Sequence, residues 1–172
     1  MADRPSGRTL GEELDRHPRS GKGRLRIIGM ATPEQTGVLP GDHPLAEAAR
    51  QWLAALQRCV RALDYEAAGG LFHPHVQAFG TYAAVVDSRE ALRREQWQHV
   101  WPMIGEFTFR LAEVRCAGSE VLLGVIAPWD SVGRRPDGTT YPRPGRATLI
   151  LARSAGRWVA LHSHFSLAPS TR

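Results

Sequence analysis

A chain of 172 residues, 42% hydrophobic and 23% charged, has the size and composition of one globular domain able to close a real core. Its formal charge of +5 and sequence pI near 10.0 would suit a nucleic-acid or anionic-surface partner only if the charge formed a patch on the fold. Instead the excess is concentrated early: seven basic residues between Arg4 and Arg26 face the four acids Asp3, Glu12, Glu13 and Asp15, and the remaining arginines are not interleaved with aromatics as a single-strand binder requires.

Residues 1 to 43 are rich in Gly, Pro, Arg and Ser and lack a sustained apolar period, which predicts a flexible basic arm ahead of a domain spanning 44 to 172. The arm has no signal-peptide core, and the chain offers no stretch of roughly 18 to 20 apolar residues, so a cytoplasmic protein without membrane contact is expected. From Pro44 the residues Leu45, Ala49, Trp52, Leu56, Cys59 or Val60, and Leu63 recur at three- and four-residue steps, predicting a one-sided helix with Pro44 in its first turn. Asp64 is expected to end it and cap a short second helix in "DYEAAGGLF". The "FHPH" stretch reads as a turn, "VQAFGTYAAVV" as one or two strands, and "DSREALRREQWQHVWPMIG" as a third helix with Asp87 and Glu90 at capping-box spacing. Cys59 and Cys116 occupy apolar periodic contexts without CxxC spacing, which predicts buried thiols rather than a disulfide.

Beyond the third helix the period becomes two. "EFTFRLAEVRC", "SEVLLGVIAPWDSV", "GRATLILARS" and "RWVALHSHFSL" each read as a strand, with short connections that make neighbours antiparallel. The expected fold is α+β, a curved antiparallel sheet wrapped around about three N-terminal helices. Both faces of the last strands carry apolar residues, whereas a single helical layer covers one, so a homodimer through the sheet is expected.

The order of these elements, with "LDYEAAGGLF", "VDSREAL", the hairpin "WDSVGRRPDG…PRPGRATLIL" and above all the terminal "WVALHSHFS", resembles the SnoaL-like group of the nuclear-transport-factor-2-like superfamily over about residues 45 to 168. The resemblance implies a cone-shaped domain with a pocket open at one end, commonly dimeric, in a superfamily that includes isomerases, cyclases, dehydratases and lyases beside members that only bind or assemble. In the ketosteroid isomerases of that superfamily a tyrosine on the first helix and an aspartate on the first strand perform the enol chemistry. Aligned by eye on the Asp64 region, those positions fall on Leu56 and Gly80, so steroid isomerisation is not implied here.

Residues two apart on a strand point the same way, so His162 and His164 share a face with Trp158 and Ala160, a face that looks inward in relatives with this ending. An imidazole pair in a pocket would suit general acid/base work, with His164 as base or acid, His162 as its partner, and Arg146 or a tyrosine steadying developing negative charge. The same two histidines could equally be hydrogen-bonded packing residues. Arg146 could also pair with Asp130 across the hairpin. Trp97, Trp101 and Trp129 are candidate pocket walls or ordinary core, Tyr65 and Tyr82 candidate phenolic donors, and Asp130 a further pocket residue. Metal ligation by His162 and His164 would need help from His99, His73, His75 or Asp130, none tied to the pair by spacing. No phosphate-binding glycine loop, Gly-x-Ser-x-Gly elbow, kinase motif or zinc-finger spacing occurs. The reading is a cofactor-independent, metal-free domain that binds a small, hydrophobic, oxygenated molecule and could isomerise, cyclise or cleave it. The alternatives are a non-enzymatic binding or dimeric assembly module and a metal-dependent lyase or hydrolase.

Overall fold

A computed structural model of the chain describes residues 37–169. Its first helix, α1 (Pro44–Ala62), begins at Pro44, with the His43 ring accepting from the Leu45 N–H, and buries Ala46, Ala49, Trp52, Leu53, Leu56, Cys59 and Val60 along one stripe. It ends because Leu63 turns left-handed (φ 54°) and the Asp64 N–H reaches back to the Cys59 carbonyl. Asp64 then caps α2 (Tyr65–Gly69) by accepting from the Ala67 N–H at 2.9 Å.

The third helix is made of short pieces. Ser88, rather than Asp87, caps α3 (Arg89–Leu92), because its hydroxyl accepts from the Ala91 N–H. A π-helical turn (Arg93–Trp97), a short α4 (Gln98–Val100) and a 3-10 turn (Trp101–Met103) follow. The π turn holds one residue more than an α turn, and the consecutive residues Gln96 and Trp97 are both buried there. No helix among the described residues is long and apolar enough to cross a membrane.

Eight strands form one curved, unclosed sheet: β1 (Gly37–Val38), β2 (Phe72–Phe79), β3 (Ile104–Phe109), β4 (Arg115–Gly118), β5 (Leu122–Arg134), β6 (Thr140–Pro142), β7 (Gly145–Ser154) and β8 (Arg157–Leu167). The main path runs β1-β4-β5-β7-β8-β2, with β3 and β6 also paired to the long β5. The sheet is mixed: β2 lies parallel to β8, which is possible because the third helical segment and five further strands separate the two in sequence. The "FHPH" stretch is therefore the start of β2 and not a turn, and "EFTFRLAEVRC" is two strands, β3 and β4, broken by a 3-10 turn at Leu111–Glu113. Gly37 and Val38 pair with Gly118 and Ala117, so the end of the segment read as an arm extends the sheet; residues 1 to 36 lie outside the described residues.

Strand alternation places the core. Along β5 the buried residues are Leu123, Val125, Ala127, Trp129, Ser131 and Gly133; along β7 they are Gly145, Ala147, Leu149 and Leu151. These face the α1 stripe, and with Phe72, Trp97 and Trp101 they form one core cluster. The free thiols of Cys59 and Cys116 are buried, and burial pushes both above the ordinary thiol range.

Candidate functional site

The decisive local feature lies in β8. Ile150 pairs with His162 but Leu151 with Ala160, so Leu161 is an extra residue, a β-bulge. A one-residue insertion inverts the alternation of everything after it. Trp158 and Ala160 pack towards the core, while beyond the bulge it is Ser163 and Phe165 that face inward and His162 and His164 that join the outer face beside Ile150 and Thr148. The expectation that the two imidazoles share the inward face of Ala160 is corrected by this bulge. His162 Nδ1 lies 2.9 Å from the Gln77 carbonyl, and the His164 ring packs on Phe79 with centroids 4.3 Å apart.

Arg146 follows the same logic. It sits on the exposed parity of β7 with Thr148 and Ile150, away from the core. Asp130 is not its partner: the Asp130 carboxylate lies 3.5 Å from Arg110, which also pairs with Glu113. Tyr65 is outside the core cavity and stacks on Trp101 at 5.1 Å, and Tyr82 is exposed and stacks on His99 at 4.7 Å. Among the described residues no three His, Cys, Asp or Glu side chains converge as a metal site would need.

The inward side of the sheet encloses a different constellation. A cavity between the helices and the sheet offers about 50 Å³ to the centre of a water, several times the ~10–15 Å³ one water needs. Trp97 and Trp101, stacked at 5.0 Å, form one wall, and Phe107, Trp129 and Phe165 the other. Leu56 and Gly80, the positions that match the isomerase pair, both line it, without an ionisable side chain at either. Gly145 makes room for Trp129: its cross-strand partner is that tryptophan, and a Cβ there would overlap the indole.

Among the described residues one charged group lines the cavity, and it is Arg143. Its backbone is fixed by exchange of both hydrogen bonds with Ser131, its Nη2 donates to the Thr81 hydroxyl at 2.7 Å, and its guanidinium lies over the Trp129 ring at 5.4 Å. No carboxylate of the described residues pairs with it. Burial lowers its proton affinity, opposed by the neighbouring Tyr141. Ser163, buried, and Gln96 add polar atoms; the Gln96 Oε1 accepts from the Tyr82 and Ala83 N–H groups and so anchors the 80–83 loop at the rim. The buried Trp129 Nε1–H has no partner among the described residues.

The sequence reading missed Arg143 because "YPRPG" reads as a connection. The signal was present in parity: Ala147, Leu149 and Leu151 are the inward set of β7, and stepping back by twos reaches Gly145 and Arg143.

The family model for the SnoaL-like domain matches residues 49–161. The chain belongs to the SnoaL-like family. The match spans α1 through the bulge of β8 and hence nearly all of the cavity wall. Solved structures share the fold of this SnoaL-like domain at low identity. A nuclear-transport-factor-2-like family protein from Streptomyces avermitilis is 15% identical, with TM-score 0.61, covering 72% of this chain and 96% of that one. A ketosteroid isomerase-like protein from Erwinia carotovora atroseptica is 18% identical, with TM-score 0.57 over 72% and 93%. A nuclear-transport-factor-2-like protein of unknown function from Pseudomonas putida KT2440 is 22% identical, with TM-score 0.56 over 71% and 85%. No curated protein matches the sequence.

Proposed function

We propose that this SnoaL-like domain binds a small, flat, hydrophobic molecule with an oxygen function in the cavity between its helices and its sheet. The observation that carries the reading is the cavity wall, where Trp97, Trp101 and Trp129 supply apolar faces and Arg143, Thr81 and Ser163 supply a few polar groups. At about 50 Å³, against the ~150 Å³ of a cavity that takes up benzene, the space excludes a polycycle and takes a single ring only together with the adjoining groove. Among the described residues lining it there is neither a histidine nor a carboxylate, so the lining serves recognition and the stabilisation of negative charge. Proton transfer by His162 and His164 is not part of the reading, since both lie on the far face of the sheet.

The test is a titration of the full chain with benzyl alcohol, followed through the indole N–H resonances of its tryptophans. Shifts at Trp97, Trp101 and Trp129 that saturate, and that vanish in a cavity-filling Leu56→Trp variant, are the expected result. Unmoved indoles at millimolar benzyl alcohol would overturn the reading.

A second reading concerns the other face. Leu122, Ile126, Ile150 and Leu161 are between 36% and 56% exposed on or beside the strands that carry Thr148, His162 and His164. Apolar side chains in this density on a sheet face support burial against a second copy, with the two histidines as interface residues.

A further inference from the structure

We infer that the ligand of this cavity is an anion, a carboxylate joined to a flat apolar body, and that Arg143 is the residue that selects it. The inference rests on the binding reading above and names its substrate class. Its basis is a charge imbalance. Arg143 is a half-buried cation without a carboxylate partner among the described residues, held in the wall by the Thr81 hydroxyl, the Trp129 ring and two backbone bonds to Ser131. A guanidinium so fixed keeps unused N–H donors in a planar fork that fits a carboxylate's two oxygens.

The neighbouring groups point the same way. Thr81 uses its oxygen to accept from Arg143, which leaves its own hydrogen for another acceptor. The Ser163 hydroxyl lines the same cavity, and Gln96 spends its oxygen on the 80–83 loop, leaving its amide hydrogens. The lining thus presents a cation and several donors to an occupant and no opposing charge, which is complementary to an acceptor-only anion.

The approach agrees. Val60, Trp101, Ile104 and Phe107 line both the cavity and a larger surface groove whose other residues include Arg61, Arg134 and Glu106. Two arginines against one glutamate give that groove a net positive field, which favours the entry of anions.

The experiment compares benzoate with benzyl alcohol, two probes of nearly equal size, on the full chain at one salt concentration. Wild-type protein is expected to bind benzoate at least about tenfold more tightly, since a charge-assisted pair in a partly desolvated site outweighs a neutral one. In Arg143→Met the ratio of benzoate to benzyl alcohol affinity is expected to fall to about one, and Arg143→Lys should restore it in part. Should the Met variant fail to fold, Thr81→Val, which removes the hydroxyl that orients the guanidinium, should narrow the preference. Equal binding of both probes by the wild type, or an undiminished benzoate preference in Arg143→Met, would overturn the anion inference and leave the binding reading intact. Absence of binding by either probe would overturn both.

Discussion

Arg143 and Arg146 are three residues apart and end on opposite sides of one sheet. Odd positions of β7 face the core and even ones face out, which puts Arg146 on the outer surface; Arg143, just ahead of the strand, continues the inward parity because its backbone pairs with the buried Ser131. The glycine between them has an equally local role. Gly145 lies directly across from Trp129, and any side chain there meets the indole or the Ser166 carbonyl. Gly145→Ala is therefore expected to destabilise the domain by about 2 kcal/mol through overpacking and to tilt the Trp129 ring. Thermal unfolding monitored by near-UV circular dichroism checks both effects, and an unchanged melting temperature would mean that the ring has room to move.

At the scale of elements, two irregularities shape the site. The bulge at Leu161 turns Ser163 and Phe165 inward in place of the histidines, and the π turn at Arg93–Trp97 lets Gln96 and Trp97 both face the interior. Gln96 does more than fill space, since it ties the rim loop to the helix through the Tyr82 and Ala83 amides. In Gln96→Leu those amides lose their acceptor, at a cost of about 1–2 kcal/mol in this partly exposed setting. Faster hydrogen exchange at Tyr82 and Ala83, confined to the loop, is the expected signature; unchanged protection there would show that the loop is held by other contacts.

At the scale of the whole sheet, one face packs against the helices and the other has little cover among the described residues. The outer face mixes Ile126 and Ile150 with Thr148, His162 and His164, in rows defined by the β5-β7-β8-β2 pairing. Ile126→Lys combined with Ile150→Lys places two charges in that face without touching the cavity. By light scattering after size exclusion, wild-type chain is expected as a dimer and the double variant as a monomer with unchanged benzyl alcohol affinity. A monomeric wild type would refute the dimer, and lost probe binding in the variant would mean that the two faces of the sheet are coupled.

The sequence by itself determined the α1 stripe, the Asp64 cap and the apolar alternation of β5 and β7, because each is written in residue types a few positions apart, and the α+β class and the family, because those segments follow one another in a recognisable order. It also carried the parity that leads to Arg143, although "YPRPG" masks it as a connection. Tertiary structure decided the rest. The parallel pairing of β2 with β8 joins segments about ninety residues apart, which no local period encodes. Which face His162 and His164 occupy depends on a bulge that exists only in the pairing of β8 with β7, and a one-residue shift in register carries every later side chain across the sheet.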